Sequence, residues 1–313
     1  DALPISALSF QHYDLHNYTT QLFTFGNGSS RNFAFNIGLS RNNKAINPIY
    51  PTKGSEFSVS TKFTLPYSMF NKIDYSDLKN QEDYKLRYTA SSGFYTTANE
   101  NGELVQEGDF IRQTTTTSGV YEKVPGNDYT LADPDQGKID QKRFNWLEYY
   151  KLKFKADWYT RLYGDQQHAL VLRTLGEFGY LGAYNSARGI VPFERYFVGG
   201  DGLANYALDG REVVQLRGYP NQSLSSANGG TIYNKFSMEL RYPITLKASA
   251  SIYALTFLEA GSAYDNFKDY NPFSLQRSAG FGIRIFMPAF GLLGIDFANG
   301  FDAVPGQTQK SGW

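Results

Sequence analysis

The chain of 313 residues contains no cysteine, which excludes disulfide scaffolds, thiol catalysis and cysteine-based zinc or iron–sulfur sites. Lysine plus arginine (30) balances aspartate plus glutamate (30), so the basic surplus of a nucleic-acid binder is absent. The longest apolar run, residues 285–295, contains Pro288 and falls well short of the roughly 20 residues of a membrane helix. The balanced charge therefore argues against a nucleic-acid binder, and the short apolar runs exclude transmembrane helices.

The chain is rich in aromatic residues and in glycine. It has 24 Phe, 24 Tyr, 3 Trp and 30 Gly, yet its mean hydropathy is −0.43. A chain that is aromatic but polar on average fits two classes: a soluble all-β protein, or an outer-membrane β-barrel in which alternate residues face lipid and water.

The period of the sequence is that of a strand. Residues 150–162 read YKLKFKADWYTRL, in which an apolar face alternates with a face of mostly charged residues. Successive side chains of a strand point to opposite faces, and a helix does not produce this period. Similar alternation predicts about ten strands, near residues 5–13, 18–25, 33–39, 57–65, 150–162, 170–178, 235–242, 251–264, 278–287 and 292–299.

Strand length favours the barrel over a soluble sandwich. Several predicted strands have 11 to 14 residues, whereas soluble strands usually have about five or six and tilted membrane strands need about 9–11. A water-filled lumen also accepts charges of both signs. The fold class predicted here is therefore all-β, a transmembrane antiparallel β-barrel.

Short and long connections alternate along the predicted strands, as periplasmic turns and extracellular loops do in such barrels. The long ones include residues 68–145 and 181–230, which this topology places on the extracellular side. Residues 68–145 are polar, so a disordered linker between two soluble domains is the alternative for that segment.

Motifs within the second long connection point to a family. Residues 192–200 read PFERYFVGG and residues 216–220 read LRGYP. These runs resemble the sixth extracellular loop of BamA-type outer-membrane assembly factors, with Leu216 in place of the usual valine. Further runs match the same family in order: NPIYPTKGS (47–55), ELRYP (239–243), FLEAG (257–261), SAGFGIR (278–284) and GID (294–296).

The resemblance implies a sixteen-stranded barrel whose sixth loop folds back into the lumen, where its arginine pairs with a wall carboxylate. Arg217 and Glu259 occupy those positions, although the family usually has aspartate at the second. The alternative is that both are separate, solvated lumen charges. The site residues predicted are the loop motif Leu216, Arg217, Gly218 and Tyr219, the wall partner Phe257, Glu259 and Gly261, and the loop support Pro192, Phe193, Gly199 and Gly200.

The resemblance also implies a function: folding and insertion of β-barrel proteins into the bacterial outer membrane, without enzymatic chemistry, metal or cofactor. The implied partners are outer-membrane lipid, unfolded β-barrel clients and accessory lipoproteins or surface subunits, with no nucleic acid. The alternatives are a two-partner secretion or TamA-like transporter and, in another class, a passive porin or receptor barrel. We expect residues 1–313 to be the C-terminal part of a Bacteroidetes-type barrel, with the POTRA domains, first strands and last strand outside this sequence.

Overall fold

Alternating sequence extends most of the chain into strands. A computed structural model describes residues 2–16, 26–44, 47–165, 167–202, 211–247 and 249–307. Its strands are β1 (Ala2–Leu15), β2 (Gly28–Asn42), β3 (Gly54–Thr64), β4 (Tyr95–Thr97), β5 (Ile111–Gln113), β6 (Val120–Lys123), β7 (Tyr150–Tyr163), β8 (Leu170–Gly182), β9 (Tyr196–Val198), β10 (Glu212–Val214), β11 (Ile232–Lys247), β12 (Ala250–Tyr264), β13 (Gln276–Met287) and β14 (Gly291–Gly300).

The long strands form one antiparallel sheet. Its nine strands follow the order β1-β2-β3-β7-β8-β11-β12-β13-β14, with β1 and β14 at the two edges. Nine of the ten predicted strands are thus confirmed, and the predicted strand at residues 18–25 lies outside the described residues. The predicted all-β, antiparallel fold class is confirmed, in the form of an open sheet.

The sheet is apolar on its outside and charged on its inside. On β7, Trp158 on the outer face is 47% exposed, whereas Lys151 and Asp157 on the inner face are only 4% and 2% exposed. On β11, Phe236, Met238 and Leu240 are likewise exposed. A soluble sandwich buries the apolar face of its strands; the reverse distribution is that of a membrane barrel.

The inner face curves around a central segment. Tyr13 on edge strand β1 stacks on Phe193 with ring centroids 4.8 Å apart. At the other edge, the backbone of Asn299 on β14 lies against Gly218. Both partners belong to the connection between β8 and β11, so strands from both edges of the sheet reach the same loop.

The connections obey the predicted alternation. At one end of the sheet the strands are joined by residues 43–53, 164–169, 248–249 and 288–290, and at the other by residues 16–27, 65–149, 183–231 and 265–275. Residues 183–231, which carry the family motifs, are therefore a long connection between two adjacent strands, β8 and β11. These strands pair directly with each other from Ile232↔Tyr180 onward.

The segment between β3 and β7 is folded. It contains α1 (Ser68–Asn71), α2 (Gln136–Arg143) and a three-stranded sheet of order β4-β6-β5. Because β3 pairs with β7 across it, the alternative of a disordered linker between two domains is wrong. Among the described residues, no helix is long and apolar enough to cross a membrane.

Candidate functional site

The connection 183–231 packs onto the inner face of the sheet through a buried apolar cluster. Its strands β9 and β10 pair in parallel, and side chains from both meet the wall strands. The cluster comprises Leu15, Phe144, Leu147, Tyr149, Leu181, Val191, Phe193, Tyr196, Phe197, Val198, Val214, Leu216, Tyr219, Leu224, Tyr233 and Val304. Phe193 is almost completely buried in it, whereas the neighbouring Pro192 is half-buried.

Gly199 and Gly200 form the turn that brings the two halves of the loop together. Gly200 and Leu216 exchange backbone hydrogen bonds of 3.0 and 3.1 Å. Gly200 has a φ of +81°, and a Cβ there would lie 1.7 Å from the side-chain oxygen of Asn221. The close contact requires glycine, since any side chain would push the loop apart. Gly199, with a φ of +123°, donates its backbone N–H to Val214.

Arg217 binds Glu259 of β12 at two points. Its Nη2 donates to Glu259 Oε1 at 2.6 Å, and its own backbone N–H donates to Glu259 Oε2 at 2.8 Å. Both side chains are almost completely buried, at 5% and 1% exposure. One guanidinium nitrogen and one backbone amide therefore share the carboxylate.

Two further carboxylates surround the same guanidinium. Nη2 also donates to Glu239 Oε1 of β11 at 2.7 Å, and Nη1 lies 3.6 Å from Asp296 Oδ2 of β14. The guanidinium carbon lies 3.6 Å from the ring centroid of Phe257, a cation–π contact that is strong when desolvated. One cation thus bridges three separate wall strands.

The electrostatic environment keeps this arginine charged. Burial by itself lowers the pKa of Arg217, but hydrogen bonding and attraction to Glu259, followed by Glu239, more than offset it, so the pKa is raised above its ordinary value. Breaking such a buried pair by removing one partner is costly because the other charge remains in a dry site.

The residues after Arg217 hold the loop tip against the last two strands. Gly218 has a φ of +89°, and a Cβ there would lie 2.9 Å from both the carbonyl carbon of Asn299 and the Cβ of Ser278. Tyr219 donates its hydroxyl hydrogen to the carbonyl of Arg277 at 2.7 Å. The tip is therefore in van der Waals contact with β13 and β14.

The wall is shaped to admit the loop at Gly261. A Cβ on that glycine would lie 3.0 Å from Cδ1 of Leu216 and 2.9 Å from the carbonyl oxygen of Asn234. Leu216 is completely buried. Gly261, Glu259 and Phe257 share the inner face of β12, as their spacing predicts, and all three meet residues 216–217.

A second group of charges joins the loop to the other side of the wall. Glu194 accepts a hydrogen bond from Lys62 of β3, and Lys151 of β7 donates to it at 3.2 Å. Glu212 lies 2.8 Å from Lys151 and also pairs with Lys153.

Comparison with protein families agrees with this architecture. The protein-family model described as the Omp85 superfamily domain matches residues 6–313, nearly the whole chain. The chain belongs to the Omp85 superfamily. This is a superfamily of outer-membrane β-barrels concerned with protein insertion and secretion. Comparison with curated proteins gave no match.

The structure of this Omp85 chain adds ion-pair partners that the sequence did not predict. Glu239 and Asp296 stand within recognised motifs, and both lie on inner faces by their alternation, but no pattern in one sequence tells which inner carboxylates meet the same arginine. Glu194 lies within the PFERYFVGG run, where the family resemblance gives it no role. Its lysine partners, Lys62 and Lys151, appear in the sequence only as charged positions on two alternating strands.

The described part of the Omp85 chain contains no group of three or more histidine, aspartate or glutamate side chains placed to hold a metal ion. The carboxylates that do converge are occupied by arginine and lysine. What the arrangement does chemically is to fix a long loop against the inner face of the sheet by buried ion pairs.

Proposed function

We propose that this chain forms the barrel of a BamA-type factor that catalyses the folding and insertion of β-barrel proteins into the bacterial outer membrane. The observation that carries the proposal is the loop tip held inside the wall by Arg217 on Glu259, Glu239 and Asp296. Its Bacteroidetes-type origin and its lack of enzymatic chemistry stay predictions from the sequence.

The position of the loop favours insertion over export. Export through the lumen requires the loop to leave, which would break buried ion pairs at considerable cost. Insertion at a sheet edge does not, because a client strand can pair with exposed backbone groups beside the lumen. Unpaired strand edges are unfavourable in lipid, so client pairing has a thermodynamic drive.

The filled inner face also argues against a passive porin or receptor barrel. A porin conducts solutes through a wet, open lumen. Here, the inner-face side chains Lys151, Asp157, Glu239 and Glu259 are each less than 5% exposed because the loop and its neighbours cover them.

Depletion of the protein from its host tests the proposal, with the outer-membrane proteome quantified over time. Loss of many unrelated β-barrel proteins is the result expected. Loss of a single exported protein would favour a two-partner secretion or TamA-like transporter, and loss of solute uptake alone would favour a porin; either result would overturn the proposal. Re-expression of the parent chain should restore the barrels.

The proposed partners are outer-membrane lipid, unfolded clients and accessory lipoproteins or surface subunits. The exposed apolar outer face suits lipid, and the folded segment between β3 and β7 offers a surface for accessory subunits. Lys85 and Pro134 are bridged, so residues 86–133 can be replaced by a short linker without opening the wall. If co-purifying proteins are unchanged by this deletion, the segment is not their binding surface.

A further inference from the structure

Three lysines on the inner wall face the same way without a wall carboxylate between them. Lys62 on β3 is directly opposite Lys151 on β7 in the strand register, and Lys153 follows two residues later on the same face of β7. Like charges directly opposite in an antiparallel pair are destabilising. Burial increases that cost, and the side chain of Lys151 is only 5% exposed.

The charges that neutralise these lysines come from the loop. Lys151 lies between two carboxylates, 3.2 Å from Glu194 Oε2 and 2.8 Å from Glu212 Oε2. Lys151 also donates to the backbone carbonyl of Glu194 at 2.9 Å. Lys62 and Lys153 complete the row on either side, each paired with one of the two glutamates.

Glu212 is held in place by the loop's own fold, and Glu194 by its contacts with the wall. Glu212 begins β10, opposite Tyr196 on β9, and the ring of Tyr196 receives Lys151 Nζ at 4.7 Å from its centroid. Glu194 has a φ of +66°, a left-handed conformation that costs energy for a residue with a Cβ. Strain of this kind persists where surrounding contacts hold it, and here they include the carboxylate's pairs with Lys62 and Lys151 and the bond from Lys151 to the Glu194 carbonyl.

We propose that Glu194 and Glu212 are positioning residues that form a second anchor for the loop, separate from Arg217. The two anchors use different strands: β3 and β7 for the glutamates, and β11, β12 and β14 for the arginine. At the glutamate anchor the loop supplies carboxylates and the wall supplies lysines. At the arginine anchor the loop supplies the cation and the wall supplies carboxylates. This inference concerns loop placement and holds for an insertase or an exporter.

The absence of cysteine gives a direct test, because single cysteines can report each anchor in turn. Leu181→Cys places a thiol opposite Lys151 in the register, under the loop, and Ser278→Cys places one under Gly218 at the tip. Both positions are at most 1% exposed in the parent. The rate of labelling by a hydrophilic maleimide then measures how often the loop exposes each one.

With the thiol at position 181, Glu212→Gln and Glu194→Gln should each raise labelling by about tenfold, since protection follows the free energy of local opening. With the thiol at position 278, the same changes should alter labelling by no more than about twofold. Arg217→Ala should show the opposite pattern. Glu177→Gln is the matched control, because Glu177 is an inner carboxylate 3.9 Å from wall residue Lys155.

A charge-specific role also predicts rescue. Adding Lys153→Met to Glu212→Gln removes the bare ammonium group and should restore part of the protection at position 181. Labelling is measured only on the fraction that migrates as folded barrel without heating; if the Glu194 variant does not fold, Glu212→Gln alone carries the test. Unchanged labelling at 181, equal effects at 181 and 278, or an equal effect of Glu177→Gln would each overturn the second anchor.

Discussion

Arg217 and Glu259 are joined through the loop backbone as well as through their side chains. The Arg217 amide donates to one carboxylate oxygen at 2.8 Å while its guanidinium donates to the other at 2.6 Å. Glu259 therefore fixes the path of the chain at the loop tip, and Arg217 adds contacts to two more strands.

We predict that Arg217→Ala lowers both assembly activity and barrel heat stability. The substitution leaves Glu259 buried without its closest cation, a loss of about 3–5 kcal/mol by analogy with other broken buried pairs, whereas Glu239 keeps its ion pairs with Arg173 and Arg241. Heat-modifiable migration in SDS gels and the level of outer-membrane proteins in a depleted host measure the two effects. Arg217→Lys should fall between parent and alanine variant, because one ammonium does not reproduce the fork of a guanidinium.

Glu259→Ala should have a larger effect on the loop than Arg217→Ala. It removes the acceptor of both the guanidinium and the backbone amide, whereas the arginine change leaves the amide bond intact. Limited proteolysis of the loop in detergent should show faster cleavage in the glutamate variant. If Arg217→Ala and Glu259→Ala were both fully active and as heat-stable as the parent, the pairing would have no role in either property.

Gly218→Ala should dislodge the loop tip for reasons of space. Its added Cβ would meet the backbone of Asn299 at 2.9 Å, where no flexible side chain can move away. Gly108 is the matched control, because its φ of +87° is nearly the same and a Cβ there meets nothing within 4 Å. Gly108→Ala should cost only the conformational term of about 1 kcal/mol. An equal decrease in unfolding temperature in the Gly218→Ala and Gly108→Ala variants would contradict the packing argument.

The glutamate anchor should be sensitive to acid and insensitive near neutrality. Burial alone raises the pKa of Glu194, but Lys151 and Lys62 more than offset it and lower the pKa below its ordinary value; Lys151 and Lys153 do the same for Glu212. A lowered pKa stabilises the folded state above the ordinary carboxyl pKa of about 4.3, and this stabilisation is lost as the pH falls through the lowered value.

Labelling of a thiol at position 181 should therefore stay constant from pH 7 to about pH 5 and rise only below the ordinary carboxyl range. Incubation at each pH, followed by labelling at one fixed pH after rapid neutralisation in the presence of the maleimide, separates loop release from thiol titration. Glu194→Gln should reduce the rise in labelling at acid pH. A transition centred at pH 6 to 7 would assign the opening to other groups.

The outer face of β11 gives a prediction about lipid. Leu240→Arg should destabilise the inserted barrel by about 2–4 kcal/mol if the residue lies near the bilayer midplane. Ser40→Arg, on the inner face of β2, is the comparison, since lumen positions tolerate charge. Folding yield into lipid vesicles measures both. Equal yields would place the outer face of β11 away from hydrocarbon.

Alternation within each strand was sufficient to predict the sheet, because a period of two is a local property that each segment carries by itself. The pairing of Arg217 with Glu259 could be anticipated only through the family motifs. Glu239, Asp296 and the lysine row could not, because their proximity depends on strand register and on the path of a long loop. The fold of residues 68–145 was also missed, since its small apolar clusters around Phe110 and Ile139 are scattered along a polar sequence.

The partners of Arg217 carry information about the order of assembly. Each long strand pairs with its neighbours along the chain, so the wall can grow by one hairpin at a time. Arg217, however, meets Glu239, Glu259 and Asp296, all of which follow it in sequence, and Gly218 rests on Asn299. The contacts with Asp296 and Asn299 form only once β14 is in place, so a tip with its full set of contacts requires a wall completed as far as β14.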